Sequence, residues 1–349
     1  MANAVKSFTR GVSAPMIPSQ DGCLHMKRFN EAIMNAAHYD VTIIGGGPAG
    51  LQAALILART RRRVIVFDTP EPPRNAASHG VHNFVGLDGL TPAQIREQAW
   101  RQIEVYDSAK LRSERVVDVQ ANPQGDFSVI GEAGASITAK HVILALGYRD
   151  VYPDVPGFMA CWGDTIIACP YCDGYENRDR VWGLVVSSQL APEHMTHIFR
   201  AHLYRNWTAQ IKLIIAPRLQ IDDEQHTALT AQGITIHEGD IVEIHHTAGK
   251  VEAVTLSTGE QVAVGTLWWR PDEAPQPLTE KIIANFSLEL DEHGYIKTDS
   301  QHQTAIRGLW AVGDVRGWAS ALGAAYQASE AAYTITRLWY AEHKPEKQS

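Results

Sequence analysis

The strongest constraint on this chain lies in residues 41–68. Val41-Thr42-Ile43-Ile44 reads as a short buried strand, Gly45-Gly46-Gly47-Pro48-Ala49-Gly50 as a turn, and Leu51 to Arg61 as a helix rich in Ala and Leu. Val64-Ile65-Val66-Phe67 is the next strand. A strand, a helix and a second strand in that order require a parallel sheet. The spacing Gly45-x-Gly47-x-x-Gly50 has a physical reason at each glycine. The first permits the tight turn, the second lets a pyrophosphate approach the backbone, and the third lets helix and strand pack closely. The helix start then presents free N–H groups to phosphate. Asp68 ends the second strand 18 residues after Gly50, where a carboxylate can accept from ribose hydroxyls. Together these features predict a dinucleotide site.

Composition narrows the remaining classes. At about 150 residues per domain, 349 residues suggest two domains. A 45% hydrophobic share supports a sizeable core and excludes global disorder. The net charge of -8, without a basic block, disfavours nucleic acid as a partner. The longest apolar stretch, Val41 to Ala58, is interrupted by the glycine turn and Gln52, so no membrane span is expected. Residues 1–37 read as a flexible extension holding a lone surface thiol, Cys23, and residues 343–349 as a tail; a start site further along, at Met26 or Met34, also fits. A cytoplasmic location is the expectation.

The chain continues with a loop over 69–90, and Thr91-Pro92 supplies an N-cap and first-turn proline for a helix to about Tyr106. Short strands follow near 114–119, 126–130 and 141–145. Two proline clusters, at 152–157 and 271–277, bracket a second alternating pattern. It comprises strand 181–186, helix 192–206, strand 211–215, helix 222–231, strand 234–237 and strands near 241–246, 251–257 and 262–268. The expected fold class is α/β, with two dinucleotide-binding, Rossmann-like domains. Residues 158–270 are inserted into a domain built from 38–157 and 271–342, which ends in a helix at about 320–341.

Two further motifs bear on the cofactor. The stretch Thr304 to Asp314 ends in Gly313-Asp314 and resembles the second FAD fingerprint of flavoproteins with two dinucleotide-binding domains. Ala145-Leu146-Gly147 resembles their middle motif. The chemical motif is Cys169-Pro170-Tyr171-Cys172-Asp173-Gly174. Two cysteines at this spacing can form a small, easily opened disulfide, with one thiol activated at a helix N-terminus. Half of a zinc site and a pair of buried thiols are the alternatives. Zinc wants four ligands, no second Cys-x-x-Cys exists, and His194, His197 and His202 share no ligand spacing. No metal is expected. Cys161 has no partner at useful spacing and reads as structural.

This order of motifs resembles the low-molecular-weight thioredoxin reductase family over residues 38–342. Pro73-Arg74-Asn75, Ser78 to Phe84, Gly86-Leu87-Asp88-Gly89 and Cys-Pro-Tyr-Cys-Asp-Gly-Tyr-Glu resemble a side branch that includes fungal dithiol oxidases. The resemblance implies FAD held by Gly45, Gly47, Pro48, Ala49, Gly50, Asp68, Arg74, Asn75, Asn83, Gly147, Gly313 and Asp314, with Ala321 starting a helix aimed at the flavin. It implies Cys172 nearest the flavin, Cys169 as interchange thiol and Asp173 as acid/base. It also implies a thioredoxin-like or other disulfide partner and a homodimer.

One departure concerns the electron donor. Where the family carries a second glycine turn for NADPH, this chain has Val186-Ser187-Ser188-Gln189-Leu190-Ala191-Pro192. Side chains there obstruct a pyrophosphate. Ala216-Pro217-Arg218-Leu219-Gln220-Ile221-Asp222-Asp223 makes a poor site for a 2′-phosphate. NADPH independence is therefore expected, with ferredoxin, another non-pyridine donor or a second FAD in its place. Ser187, Ser188 and the helix start at Pro192 offer phosphate donors. Trp182, Trp207, Trp268, Trp269 and Trp318 offer stacking faces, or else ordinary core. The competing functions are a dithiol oxidase passing electrons to oxygen and a non-catalytic flavin redox sensor.

Overall fold

The computed structural model describes residues 38–186, 201–219 and 221–343. Cys23, Ser187, Ser188, Pro192, His194 and His197, considered above, therefore lie outside the described residues.

The first sheet starts with β1 (His38–Ile44), which leads through helix α1 (Pro48–Arg59) to β2 (Val64–Asp68). After a loop and α2 (Pro92–Ile103) come β3 (Ala109–Ser113), β4 (Val116–Ala121), β5 (Phe127–Gly131) and β6 (Ser136–Leu144). Four of the five β2 residues are buried, so its Val-Ile-Val-Phe run faces core on both sides, as a parallel strand does. The strand order is β3-β2-β1-β6-β5-β4. β3 is a correction to the sequence reading. Its Ala-Lys-Leu-Arg-Ser residues alternate weakly, yet it pairs parallel to β2 at the sheet edge. Thr91 caps α2 with a full capping box, its side chain bound by the Gln94 N–H and the Gln94 side chain returning to the Thr91 N–H.

β7 (Tyr148–Val151) leaves this sheet. The intervening segment begins with α3 (Phe158–Cys161), β8 (Ile166–Ile167) and α4 (Pro170–Asp173). β9 (Val181–Val186), α5 (Ala201–Tyr204), β10 (Gln210–Ile215), α6 (Asp223–Ala231) and β11 (Thr235–Glu238) follow. Next come β12 (Ile241–Thr247), β13 (Lys250–Leu256), β14 (Gln261–Ala263) and β15 (Thr266–Trp268). A parallel sheet runs β11-β10-β9-β15-β8, and β12-β13-β14 form an antiparallel one. The strand expected over 262–268 is split between the two, because the chain turns at Val264-Gly265. β14 pairs antiparallel with β13, while β15 pairs parallel with β9.

β16 (Asp272–Pro275) returns antiparallel to β7. α7 (Pro277–Phe286), β17 (Leu309–Ala311) and α8 (Ala321–Glu342) then complete the first sheet. β17 adds parallel to the far half of β6, at Val142 to Leu144. One buried cluster, including Val41, Leu57 and Ala328, packs α1 and α8 on one face of the first sheet; another, including Phe67, Val129 and Ile282, covers the other face. The second parallel sheet has its own two clusters, around Phe158 and Leu267 and around Trp182 and Leu213.

Candidate functional site

The carboxyl edge of the first sheet carries the glycine turn. Gly45 has φ +112°, a left-handed conformation that suits glycine, and a Cβ on it would collide with the Ala145 carbonyl oxygen. A Cβ on Gly50 would run into the carbonyl oxygen of Gly45. Helix and strand are that close. A Cβ on Gly47, in contrast, would meet nothing within 4 Å. Gly47 also caps α1 without a side-chain hydrogen bond. The unsatisfied N–H groups of the first turn therefore face open space, the arrangement a phosphate needs.

The other fingerprint residues gather around this turn. Asp68 accepts from the Gly46 N–H at 3.1 Å. Arg96 of α2 pairs with the same carboxylate; a residue 28 positions away gives no local signal. Ala145 donates its N–H to the Ile44 carbonyl at 2.9 Å, so the Ala-x-Gly motif flanks the turn, with Gly147 at φ +64°. Gly313 lies beside Ala49 and donates its N–H to the Gln327 side chain at 2.8 Å. Asp314 accepts from the Ala319 N–H at 3.2 Å, and burial pushes its carboxyl up against the pull of Arg74. A cavity of about 140 Å³ opens here, lined by Gly47, Pro48, Leu51, Asn75, Phe84 and Ala321, among others. These residues fit a dinucleotide.

Two expected cofactor ligands also make contacts within the protein. Arg74 pairs with Asp150 at 2.6 Å and Glu273 at 2.5 Å and reaches Asp314 at 3.4 Å. Asp150 and Glu273 are cross-strand partners on β7 and β16, so one guanidinium joins both connecting strands. These carboxylates raise the Arg74 pKa against the cost of burial. Asn83 donates its side-chain N–H to the Tyr171 carbonyl at 2.6 Å and so holds the cysteine turn.

The cysteine motif is a short helix. Cys169 is the N-cap of α4, and its carbonyl accepts from the Cys172 and Asp173 N–H groups at 3.2 Å each. Asn177, buried, anchors that turn. Its side chain donates to the Asp173 carbonyl at 3.1 Å and accepts from the Thr266 hydroxyl at 2.9 Å. The two thiols are electrostatically unequal. The Cys172 S–H and the backbone N–H groups of Cys172 and Tyr171 lower the Cys169 pKa. Donation to Cys169, and then burial, raise that of Cys172. Cys169 is thus the readier thiolate. Burial, followed by repulsion from Glu176, pushes Asp173 up to about 6, while His82, His79 and Ser78 pull the other way. Cys161 is buried and raised by burial, as an inert structural thiol is.

Three of the five tryptophans considered as stacking faces, Trp182, Trp268 and Trp269, are core. Trp182 stacks on Trp207 at 6.1 Å, and Trp207 meets Tyr171 edge-on at 5.5 Å. This aromatic column supports the cysteine turn from behind. Among the described residues no group of three or more His, Cys, Asp or Glu is placed to hold a metal ion, and no helix is long and apolar enough to cross a membrane.

Known proteins resemble this chain. The pyridine nucleotide-disulphide oxidoreductase family matches residues 39–188 and 201–332. The chain belongs to that family. Within the family, it is 34% identical over 289 residues to thioredoxin reductase tcpT of Claviceps purpurea (79% of this chain, 86% of the relative). It is 30% identical over 289 residues to the thioredoxin reductase of Mycolicibacterium smegmatis (79% and 88%). The crystal structure of an oxidoreductase from Agrobacterium tumefaciens superposes with a TM-score of 0.76 at 31% identity (88% and 100%). The fold is therefore the two-Rossmann-domain fold of thioredoxin reductase-type flavoproteins, and the chain is an oxidoreductase of an FAD-binding family.

Proposed function

We propose that this chain is an FAD-dependent disulfide oxidoreductase that moves two electrons between flavin and the Cys169–Cys172 pair, and between that pair and a thioredoxin-like or other dithiol partner, without using NADPH. What supports the reading is the geometry of the cysteine turn: Cys169 caps α4, Cys172 and Asp173 follow in the same turn, and Asn83 and Asn177 hold it beside the loop that lines the glycine-turn cavity. FAD, when bound, supplies the two-electron donor or acceptor. Gly45, Gly47, Pro48, Ala49 and Gly50 would hold its phosphates, Asp68 a ribose, and Gly147, Gly313 and Asp314 the middle of the molecule. Asn75 and Ala321 would line the ring. Residues 38–157 with 271–342 would be the FAD domain and 158–270 the inserted domain.

Cys169, as thiolate, attacks a partner disulfide to give a mixed disulfide. Asp173 protonates the departing sulfur, and Cys172 then displaces the partner from Cys169. Asn83 and Asn177 hold the turn that carries both cysteines.

NADPH independence finds support at the second parallel sheet. Gly183 lies inside β9, where a Cβ would press on Leu267, so it is a packing glycine and not a phosphate turn. The crevice at the carboxyl ends of β9 and β10, about 200 Å³, is lined by Val185, Val186, Ala216, Asp240 and Trp269, among others, and by no basic side chain among the described residues. An anaerobic spectral titration tests the reading. Stoichiometric NADPH leaves the flavin band intact, whereas a dithiol or dithionite bleaches it; fast bleaching by NADPH overturns the donor assignment. Released FAD at one per chain is the expected count, and two per chain would restore the second-flavin alternative. Cys172→Ser retains FAD but loses disulfide turnover, and surviving turnover overturns the dithiol's role.

A further inference from the structure

The two strands that join the sheets are a poor pair by themselves. β7 and β16 match in the register Val151–Asp272, Asp150–Glu273, Arg149–Ala274 and Tyr148–Pro275. A two-stranded ladder this short is marginal without further support, and Pro275 has no N–H to give it. Two acids, Asp150 and Glu273, stand directly opposite each other, and like charges so placed destabilise a strand pair. Both are well covered, with side-chain exposures of 4% for Asp150 and 15% for Glu273. Left unpaired, two such carboxylates would open the ladder.

Arg74 supplies the missing charge from outside the ladder. Its Nε donates to Asp150 at 2.7 Å, and its Nη2 lies 2.6 Å from Asp150 and 2.5 Å from Glu273. Arg270 adds a contact with Glu273 at 3.4 Å, and the Tyr295 hydroxyl donates to the same carboxylate at 3.4 Å. The remaining end of the guanidinium, Nη1, meets Asp314 Oδ2 at 3.4 Å. Asp314 belongs to the glycine turn: it follows Gly313, which lies beside Ala49, and its Oδ1 accepts from the Ala319 N–H at 3.2 Å. Both contacts of Asp314 are long, and a carboxylate has lone pairs to spare for a ligand. Pro73 and Asn75 line the cavity, and Arg74, between them, reaches the ladder. One planar fork thus touches three carboxylates, two on the connecting strands and one at the cofactor turn.

We infer that Arg74 is a positioning residue that couples the cofactor site to the connecting strands. Cofactor held at Asp314 fixes the guanidinium that closes the β7–β16 ladder, and the closed ladder holds Asp314 and the loop at Asn75 in place for the cofactor. The inference rests on FAD binding at the glycine turn, as proposed for this chain. Such a coupling is reciprocal: a change in the ladder that alters FAD affinity is matched by an equal effect of FAD on the ladder. Lysine cannot replace the arginine, because a single ammonium has no fork to span three carboxylates. The same contact keeps Asp314 charged, since burial raises its carboxyl and Arg74 is the first group to oppose that rise.

Two readouts on the FAD-loaded protein test the coupling, and neither needs turnover. The first is the FAD dissociation constant, read from flavin fluorescence over a dilution series. Arg74→Lys raises it about tenfold. Asp150 is on the ladder and does not line the cavity, yet Asp150→Asn raises the constant about fivefold. It frees Nε and Nη2, so the guanidinium closes on Asp314 and takes up the lone pairs that the cofactor needs. In the Arg74→Lys background Asp150→Asn adds nothing, because its route to the cofactor is already cut. Losses that multiply in the double variant overturn the coupling, as does a wild-type constant in Asp150→Asn. The second readout is hydrogen exchange of the ladder amides at 148–151 and 272–274. Removing FAD speeds their exchange in the wild type and leaves it unchanged in Arg74→Lys, where it is already fast. Exchange indifferent to FAD in the wild type overturns the coupling. Should Arg74→Lys fail to fold, Asp150→Asn and the wild-type exchange decide the matter. Wild-type protein that binds no FAD overturns the reading of the glycine turn and the coupling with it. Wild-type protein that binds FAD, with the constant unchanged in Asp150→Asn, overturns the coupling alone.

Discussion

The described residues form two large sheets, the first parallel except for β4 and β5 and the second parallel throughout, and their carboxyl edges differ sharply. At the first, the chain leaves β1 through a glycine turn, α1 begins with no side chain over its N-terminus, and Asp68 and Asp314 stand by. At the second, β9 ends in Val185-Val186, and the crevice lining among the described residues is apolar apart from Asp240. The general rule places ligands at such strand ends. The comparison shows that topology supplies only the location. Whether phosphate can enter depends on which side chains stand at the turn. The second sheet also backs the cysteine turn, through Asn177, Trp182 and Trp207.

The comparison breaks most visibly at Gly50. Gly50→Ala puts a methyl group against the Gly45 carbonyl, and purified protein is expected to lack flavin absorbance; normal FAD content would mean that the turn is not the phosphate site. The next effect in size is at the dithiol. Asp173→Asn should lower disulfide turnover about 100-fold and remove the limb near pH 6 seen in stopped-flow exchange. Below that pH the wild-type carboxyl carries the proton it donates, and above it the proton is lost. A limb that persists in the asparagine variant belongs to another group.

The smallest effects separate the two regions most cleanly, because each has one capping box among the described residues. Thr91→Ala removes the cap of α2, and Asp222→Ala that of α6. Each is expected to cost about 1 kcal/mol, read as a lower Tm. Only Thr91→Ala should also weaken FAD retention, since α2 carries Arg96 to Asp68. Equal flavin loss in both variants would tie the second region to the cofactor after all.

Much of the site was legible where chemistry depends on neighbours in the chain. The glycine turn, Asp68, the capped helix at Thr91, Gly313-Asp314 and the Cys-x-x-Cys motif are short-range patterns, since each is set by the backbone conformation of a few consecutive residues. Harder to read were features made by distant segments. β3 is a polar edge strand, held by pairing with β2 and hardly marked by its own pattern. Arg74 reads as a cofactor ligand because it precedes Asn75 in a familiar stretch, yet its strongest partners, Asp150 and Glu273, are 76 and 199 residues away. The tryptophans were ambiguous for the same reason: an indole suits core and cofactor alike until its neighbours are known.

The sequence alone determined an α/β chain with a glycine turn after its first strand and a Cys-x-x-Cys pair followed by an acid, because local backbone geometry admits few residues at those positions. Only the tertiary structure decided that burial raises the Asp173 carboxyl to about 6, and that Asn83, 88 residues before Tyr171, holds the cysteine turn. Burial and Coulomb interaction act through space, and the groups responsible come together only when the loop before α2 folds against the turn of α4.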